Sequence, residues 1–211
     1  MLTMNQWVKA NIGKGIDYDK TYGVQCVDLA KHFIKNVLGV EPQSIGNAIE
    51  YYNKRKTSKY LKDNFKWIDN TPEFIPQKGD LCVFTSKTGN GHISIATGEG
   101  TTKYFYSYDQ NYPKSQHEPM AKIKHTYGSF LGVLRPKNQE NIVDKVYAYT
   151  VTRLNAYSTT KYVNPIVIEK GEKVEIINDN VGTMTKNGVK YKMASIKYKG
   201  KTYYVAVKYL K

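Results

Sequence analysis

Cys26 lies in Gly23-Val24-Gln25-Cys26-Val27-Asp28-Leu29-Ala30, a thiol at the start of an apolar helix and just after a Gly-containing acidic loop. Backbone N–H groups at a helix N-terminus stabilise negative charge, so this position favours a thiolate, the nucleophilic form of cysteine. A sulfur nucleophile also needs a base, and a third group that holds the imidazole in its useful tautomer. His92 is the candidate base, with Asp109 and Asn111 as its polar partners. If His92–Thr97 and Lys103–Asp109 pair through a Gly98–Thr102 turn, His92 lies across from Asp109, and Asp109 and Asn111 share a face by the period of two. A slip of one residue would turn Asp109 away and leave Asn111 to reach from the strand end.

The other candidates for this chemistry are weaker. Cys82 sits in the apolar run Leu81-Cys82-Val83-Phe84, with no helix terminus beside it, and reads as a small buried hydrophobe. Two free thiols are expected rather than a disulfide. His32 lies about 1.5 helical turns beyond Cys26 and points elsewhere, while His117 and His125 are expected in loops.

Asp17-Tyr18-Asp19-Lys20-Thr21-Tyr22-Gly23 together with Asp28 places carboxylates at positions 1, 3 and 12 of a loop, with a main-chain carbonyl at position 7. This is EF-hand-like calcium spacing. It departs at position 6, which is Tyr22 instead of Gly, and at position 12, where Asp28 replaces a bidentate Glu. The same acids also fit a solvated helix cap. Adjacency to Cys26 favours calcium, in a structural role that fixes the loop delivering the sulfur.

These residues need a scaffold. Leu29, Ala30, Phe33, Ile34, Val37 and Leu38 recur at helical spacing, and Gly39 with Pro42 supplies the stop. A short helix over Leu2–Ile12 and another from Gly46 to about Lys54 complete a helical first part. After Lys78-Gly79 the pattern turns to strands at Asp80–Thr85, His92–Thr97 and Lys103–Asp109, an antiparallel meander. Helices followed by strands predict an α+β domain over residues 1–136. Arg135–Asp144 is polar, and 137–145 reads as a linker. From Val146 the chain is again strand-like, at 146–152, 166–168, 173–177, 191–198 and 202–207, with Lys199-Gly200 as a turn; a small β-barrel over 146–211 is expected.

The 211 residues carry 32 Lys plus Arg against 18 Asp plus Glu, a net +14. Of this, +8 falls in the last 66 residues and +6 in the first 145. Such a field attracts polyanions, whether nucleic acid, teichoic-acid-bearing wall or an anionic membrane surface. No apolar run approaches the roughly 18 residues of a membrane span. Met1–Gly15 lacks the basic and apolar regions of a secretory signal, so another exit route is expected if the protein acts outside the cell.

YGVQCVDLA, SIGNAIEYY, KGDLCVFT, GNGHISIA and YSYDQNY, in this order and spacing, resemble the CHAP family, the cysteine, histidine-dependent amidohydrolase/peptidases of phage endolysins and bacterial wall hydrolases. The resemblance spans roughly residues 1–136. It implies a papain-like α+β fold and hydrolysis of an amide bond in peptidoglycan. It makes Cys26 the nucleophile, His92 the general base, and Asp109 with Asn111 the groups around the histidine. Some relatives have Glu where this chain has the shorter Asp109, which shifts the expected orienting role towards Asn111. Asp17, Asp19 and Asp28 match calcium-binding acids of some phage members, which also use main-chain oxygens at the positions of Thr21 and Gly23.

The last part resembles bacterial SH3-like wall-binding domains through Leu154-Asn155-Ala156-Tyr157-Ser158 and Val205-Ala206-Val207-Lys208-Tyr209-Leu210. Its nine tyrosines suit either a shallow peptide groove or a barrel core. The resemblance thus implies a monomeric endolysin that acts on peptidoglycan after holin-type release, without nucleic-acid binding or membrane insertion. The bond is either N-acetylmuramoyl-L-alanine amide or a peptide bond. The alternatives are a bacterial wall-remodelling hydrolase of a conjugation or secretion system, and a non-catalytic basic binder of wall or nucleic acid.

Overall fold

The computed structural model describes residues 1–113, 117–142 and 146–211. It forms two compact units, Met1–Asp144 and Lys145–Lys211.

The first unit opens with α1 (Met4–Asn11), started by a reciprocal cap in which Thr3 Oγ1 accepts from the Gln6 N–H and Gln6 Oε1 accepts from the Thr3 N–H. Helix α2 (Cys26–Phe33) runs on into a π-helical turn at Ile34–Leu38, which Gly39 ends in the left-handed conformation with φ 69°. Leu29, Ala30, Phe33 and Val37 are fully buried. They pack with Trp7 of α1 against Leu81, Val83, Ile93 and Ile95 of the sheet. Burial of each large apolar side chain here contributes about 1.5–3 kcal/mol. Helix α3 (Ala48–Asn53) is shorter than the sequence suggests, and α4 (Lys59–Asn64) was not expected.

Six antiparallel strands follow: β1 (Phe65–Asp69), β2 (Leu81–Phe84), β3 (His92–Gly100), β4 (Phe105–Asp109), β5 (Ala121–His125) and β6 (Phe130–Pro136). Their order is β1-β6-β2-β3-β4-β5, so the expected meander is present but extended by β5 at one edge and by β6 and β1 at the other. An ion pair fixes that second side: Arg135 donates from Nε and Nη2 to the two carboxylate oxygens of the fully buried Asp80, at 2.9 and 2.8 Å.

The stretch that reads as a linker packs, over 137–142, on the first unit. Asn141 Nδ2 donates to the Val37 carbonyl, and Ile142 is buried in the main core. Polar composition hid this because a single apolar side chain and main-chain bonds anchor the segment. Positions 143–145 lie outside the described residues.

The second unit contains β7 (Val146–Tyr149), β8 (Leu154–Ala156), β9 (Ile166–Ile168), β10 (Lys173–Asn178), β11 (Thr183–Lys186), β12 (Val189–Tyr198) and β13 (Lys201–Ala206). The long β12 pairs with β11 through its first half and with β10 and β13 through its second. Lys199 and Gly200, both at positive φ (47° and 79°), form the two-residue turn into β13. Ala148, Leu154, Ala156, Ile168, Val174, Ile196 and Val205 form its core.

Candidate active site

The sequence brings Cys26 to the first position of α2 by a local signal. Asp28, two residues later, accepts a hydrogen bond from the Gln25 N–H at 3.1 Å, which closes the helix start. The sulfur is half-buried on a cleft of about 470 Å³ whose lining includes Tyr22, Gln25, Asn47, Gly91, Asn111 and His117.

His92 opens β3, directly after Gly91. A Cβ on Gly91 would lie 2.7 Å from the Ile49 nitrogen and 2.8 Å from the Phe84 oxygen, so only glycine lets β3 start this close to α3. His92 faces two groups: the Cys26 sulfur, which helps to raise its pKa, and Asp109, whose Oδ1 lies 2.8 Å from its Nε2.

The register differs from the expected one by two residues. Ile95 faces Tyr108 and Ala96 faces Ser107, with a bulge before Gly100 faces Phe105. A shift of two preserves the face, so Asp109 becomes the diagonal neighbour of His92 and still reaches it. Continuing that register would put Asn111 directly across from His92. The strand ends at Asp109, however, and Asn111 turns out at φ 58°, where its Oδ1 accepts from the His117 N–H at 2.9 Å. Asn111 therefore lines the cleft, and the bond to the imidazole comes from Asp109, contrary to the expectation that the shorter acid leaves that role to Asn111.

Asp109 is almost fully buried and holds two further partners that sequence reasoning missed. Ser107 donates to its Oδ2 at 2.5 Å, and His125 Nε2 lies 3.0 Å from the same Oδ1 that meets His92. His125 is the buried last residue of β5, not a loop residue as expected. Alternation in Ala121-Lys122-Ile123-Lys124-His125 was the available signal. Tyr112 covers both imidazoles, with ring centroids 4.9 Å from His92 and 5.0 Å from His125.

The electrostatics follow from this cage. Burial alone pushes the Asp109 carboxyl up, but the hydrogen bonds from His125 and His92 outweigh it and hold the group below its ordinary value. Burial likewise opposes a charge on His92, yet the Asp109 carboxylate and the Cys26 sulfur overcome it and push the imidazole up to about 9. At neutral pH His92 is thus an imidazolium between a carboxylate and a sulfur. Cys82 is fully buried in a separate apolar cluster, where burial first and Asp80 second push its thiol well up; it is inert. His32 accepts a bond from the Trp7 indole N–H at 2.8 Å and is likewise occupied. His117 Nδ1 accepts from the Val24 N–H at 3.1 Å.

Carboxylate oxygens of Asp17, Asp19 and Asp28 lie within 4.8 Å of one another. Asp17 Oδ1 is buried with no hydrogen-bond partner, and burial and then the Asp19 charge raise the Asp28 carboxyl. Lys31 supplies a cation, 2.6 Å from Asp19 Oδ2, which lowers Asp19. An all-oxygen acidic set of this kind fits a hard cation. Thr21 and Gly23 belong to the same loop; the Thr21 N–H donates to Asp19 Oδ1 at 3.0 Å, and Gly23 takes φ 71°.

Residues 14–111, which contain Cys26, His92, Asp109 and Asn111, match the model of the CHAP domain. The match lies wholly within the first unit. Endolysin PlyTW of Staphylococcus phage Twort is 27% identical over 226 aligned positions, covering 91% of this chain and 44% of the relative. The probable autolysin PH of Staphylococcus aureus is 34% identical over 118 positions, covering 53% of this chain and 23% of the relative. The chain thus spans less than half the length of these curated relatives. The crystal structure of the wild-type endolysin LysIME-EF1 superposes with a TM-score of 0.55 at 24% identity, covering 90% of this chain and 78% of that one, which shows a shared fold.

The second unit has its own cleft of about 330 Å³, whose lining includes Arg153, Tyr157, Met184, Tyr191 and Tyr209. Lys208 lies 4.4 Å from the Tyr191 ring centroid and 4.8 Å from that of Tyr209. Its tyrosines divide between roles: Tyr157 is buried, whereas Tyr147 and Tyr149 are exposed.

Proposed function

We propose that this chain is a peptidoglycan hydrolase of the endolysin type, cutting an amide bond of the bacterial wall by cysteine nucleophilic catalysis. The observation that carries the reading is the ordered set Cys26, His92 and Asp109, with His92 between the sulfur and the carboxylate, inside the stretch that matches the CHAP domain. The names of the relatives, an endolysin and a probable autolysin, point the same way.

The Cys26 thiolate, with its proton on His92, attacks the amide carbonyl carbon; the S–C bond forms and the carbonyl electrons move onto oxygen. The Cys26 main-chain N–H, one of the helix-start donors without an intrahelical acceptor, receives that oxyanion. His92 passes its proton to the leaving amine nitrogen as the C–N bond breaks, giving a thioester. It then takes a proton from water, whose oxygen displaces the sulfur. Asp109 keeps the imidazole in the orientation these transfers need. The same steps serve an N-acetylmuramoyl-L-alanine amide and a peptide bond of stem or bridge.

Asp17, Asp19 and Asp28, with main-chain oxygens of Thr21 and Gly23, would hold a structural calcium ion that stiffens the loop leading to Cys26. The second unit, SH3-like and basic, would dock on the wall through its tyrosine-lined cleft. Cys26→Ala should abolish clearing of a wall suspension while co-sedimentation with walls persists. Undiminished lysis by that variant sinks the reading.

A further inference from the structure

Gln110 follows Asp109 in the chain and is fully buried. Asp109 is the last residue of β4 and meets His92, whereas Gln110, the first residue beyond the strand, is directed to the segment before α2. There its carboxamide makes three hydrogen bonds to main chain far away in sequence. Oε1 accepts from the Ile16 N–H at 2.8 Å, and Nε2 donates to the Ile16 oxygen and to the Gln25 oxygen, both at 2.7 Å. One side chain therefore closes both ends of the irregular loop that carries Lys20, Tyr22 and Gly23 at positive φ.

The contact with Gln25 has a specific consequence. The Gln25 carbonyl also accepts from the Asp28 N–H at 3.0 Å and the Leu29 N–H at 3.3 Å. A peptide unit is planar, so a carbonyl direction held by three donors also fixes the direction of the next N–H. That next N–H belongs to Cys26. We propose that Gln110 is a positioning residue that aims the Cys26 main-chain N–H at the oxyanion, so that the adjacent residues Asp109 and Gln110 set the two halves of the site, imidazole and oxyanion donor, from one strand end. This rests on the cysteine-hydrolase reading above.

Two reactions of the same sulfur separate this role from a merely structural one. Alkylation by iodoacetamide is a displacement at carbon that forms an S–C bond, expels iodide and creates no oxyanion. Acylation by p-nitrophenyl acetate passes through a tetrahedral oxyanion before p-nitrophenolate leaves with the electron pair of the broken C–O bond. Both are measured on the full chain, wild type against Gln110→Met and Gln110→Glu, with Cys26→Ala as the blank. Losing one oxyanion donor costs on the order of 10²–10³ in rate, so a donor left in place but free to swing should cost at least about tenfold. The ratio of acylation to alkylation should therefore fall by at least about tenfold in Gln110→Met. Gln110→Glu keeps an acceptor for Ile16 but presents oxygen to the Gln25 carbonyl, and should lower the ratio as well.

Unfolded chains expose Cys26 and Cys82 to iodoacetamide as free thiols, so both rates are read at Cys26 alone by peptide mass spectrometry and under conditions where circular dichroism shows each variant fully folded, which keeps the ratio decisive. Should Gln110→Met not yield folded protein, Gln110→Glu carries the test. A ratio equal to wild type, whether both rates hold or both fall, overturns the proposal. Failure of wild-type Cys26 to acylate at all strikes the hydrolase reading instead.

Discussion

Asp109→Asn isolates the charge of the carboxylate beside His92 from its shape. The amide keeps an oxygen where Asp109 Oδ1 meets His92 and His125, and its NH2 can face Ser107 Oγ, which is able to accept. His92 stands at about 9 against an ordinary 6.5, a gap contributed jointly by Asp109 and Cys26 against the opposing effect of burial. At about 1.4 kcal/mol per unit, the folded site prefers the imidazolium by on the order of 3 kcal/mol. Removing the Asp109 charge should bring the imidazole down by at least about one unit, with the Cys26 sulfur retaining part of the elevation. Chemical-shift titration of the His92 ring reads this directly, and wall lysis against pH reads it functionally. Wild type should lose activity as pH rises through about 9, because the leaving amine then finds no proton on His92. In Asp109→Asn that decline should begin nearer neutrality.

The same titration has a stability consequence. A raised imidazole binds its proton more tightly folded than unfolded, so its stabilisation is fully present below about pH 6.5 and is lost as pH climbs through about 9. Denaturant unfolding should therefore show wild-type stability falling across that window, and Asp109→Asn should flatten the slope. A His92 midpoint that stays near 9 in the variant, or one near 6.5 in wild type, would refute the assignment of Asp109 as the charge that holds the imidazolium.

Two further outcomes are expected. Arg135→Met strands the fully buried Asp80 without its guanidinium and should cost about 3–5 kcal/mol in chemical denaturation; a loss under 1 kcal/mol would refute a structural role for the ion pair. Chelation should lower the melting temperature of wild type and added calcium should restore it, with Asp17→Asn blunting both responses. A melting temperature indifferent to chelator and calcium removes the metal proposal.

Local chemistry made half of the site legible in the sequence. The start of α2 is encoded within a few residues: a half-buried thiol, Asp28 closing the helix start, and an apolar stripe running through Phe33 and Val37. His92 and Asp109 could be paired because a hairpin error of two residues preserves the face, even though the bulge between Ala96 and Gly100 was invisible. What escaped was long-range. His125 and β5 depend on antiparallel pairing with β4, and the role of Asn111 was decided by a backbone turn at φ 58° that no side-chain pattern announces.

Gln110 shows why such residues stay hidden. Its three partners are main-chain atoms of Ile16 and Gln25, and main-chain atoms leave no trace in residue type. The chain leaves β4 at Asp109, and the next side chain is directed away from His92, into the loop before Cys26. A buried carboxamide there has to satisfy two donors and an acceptor, and the irregular segment between Ile16 and Gln25 offers the unpaired main-chain groups that can do so. Coupling of Asp109 and the loop before Cys26 through adjacent residues thus follows from where β4 ends, because the chain delivers one side chain to the imidazole and the next, just past the strand, to the main chain of Ile16 and Gln25.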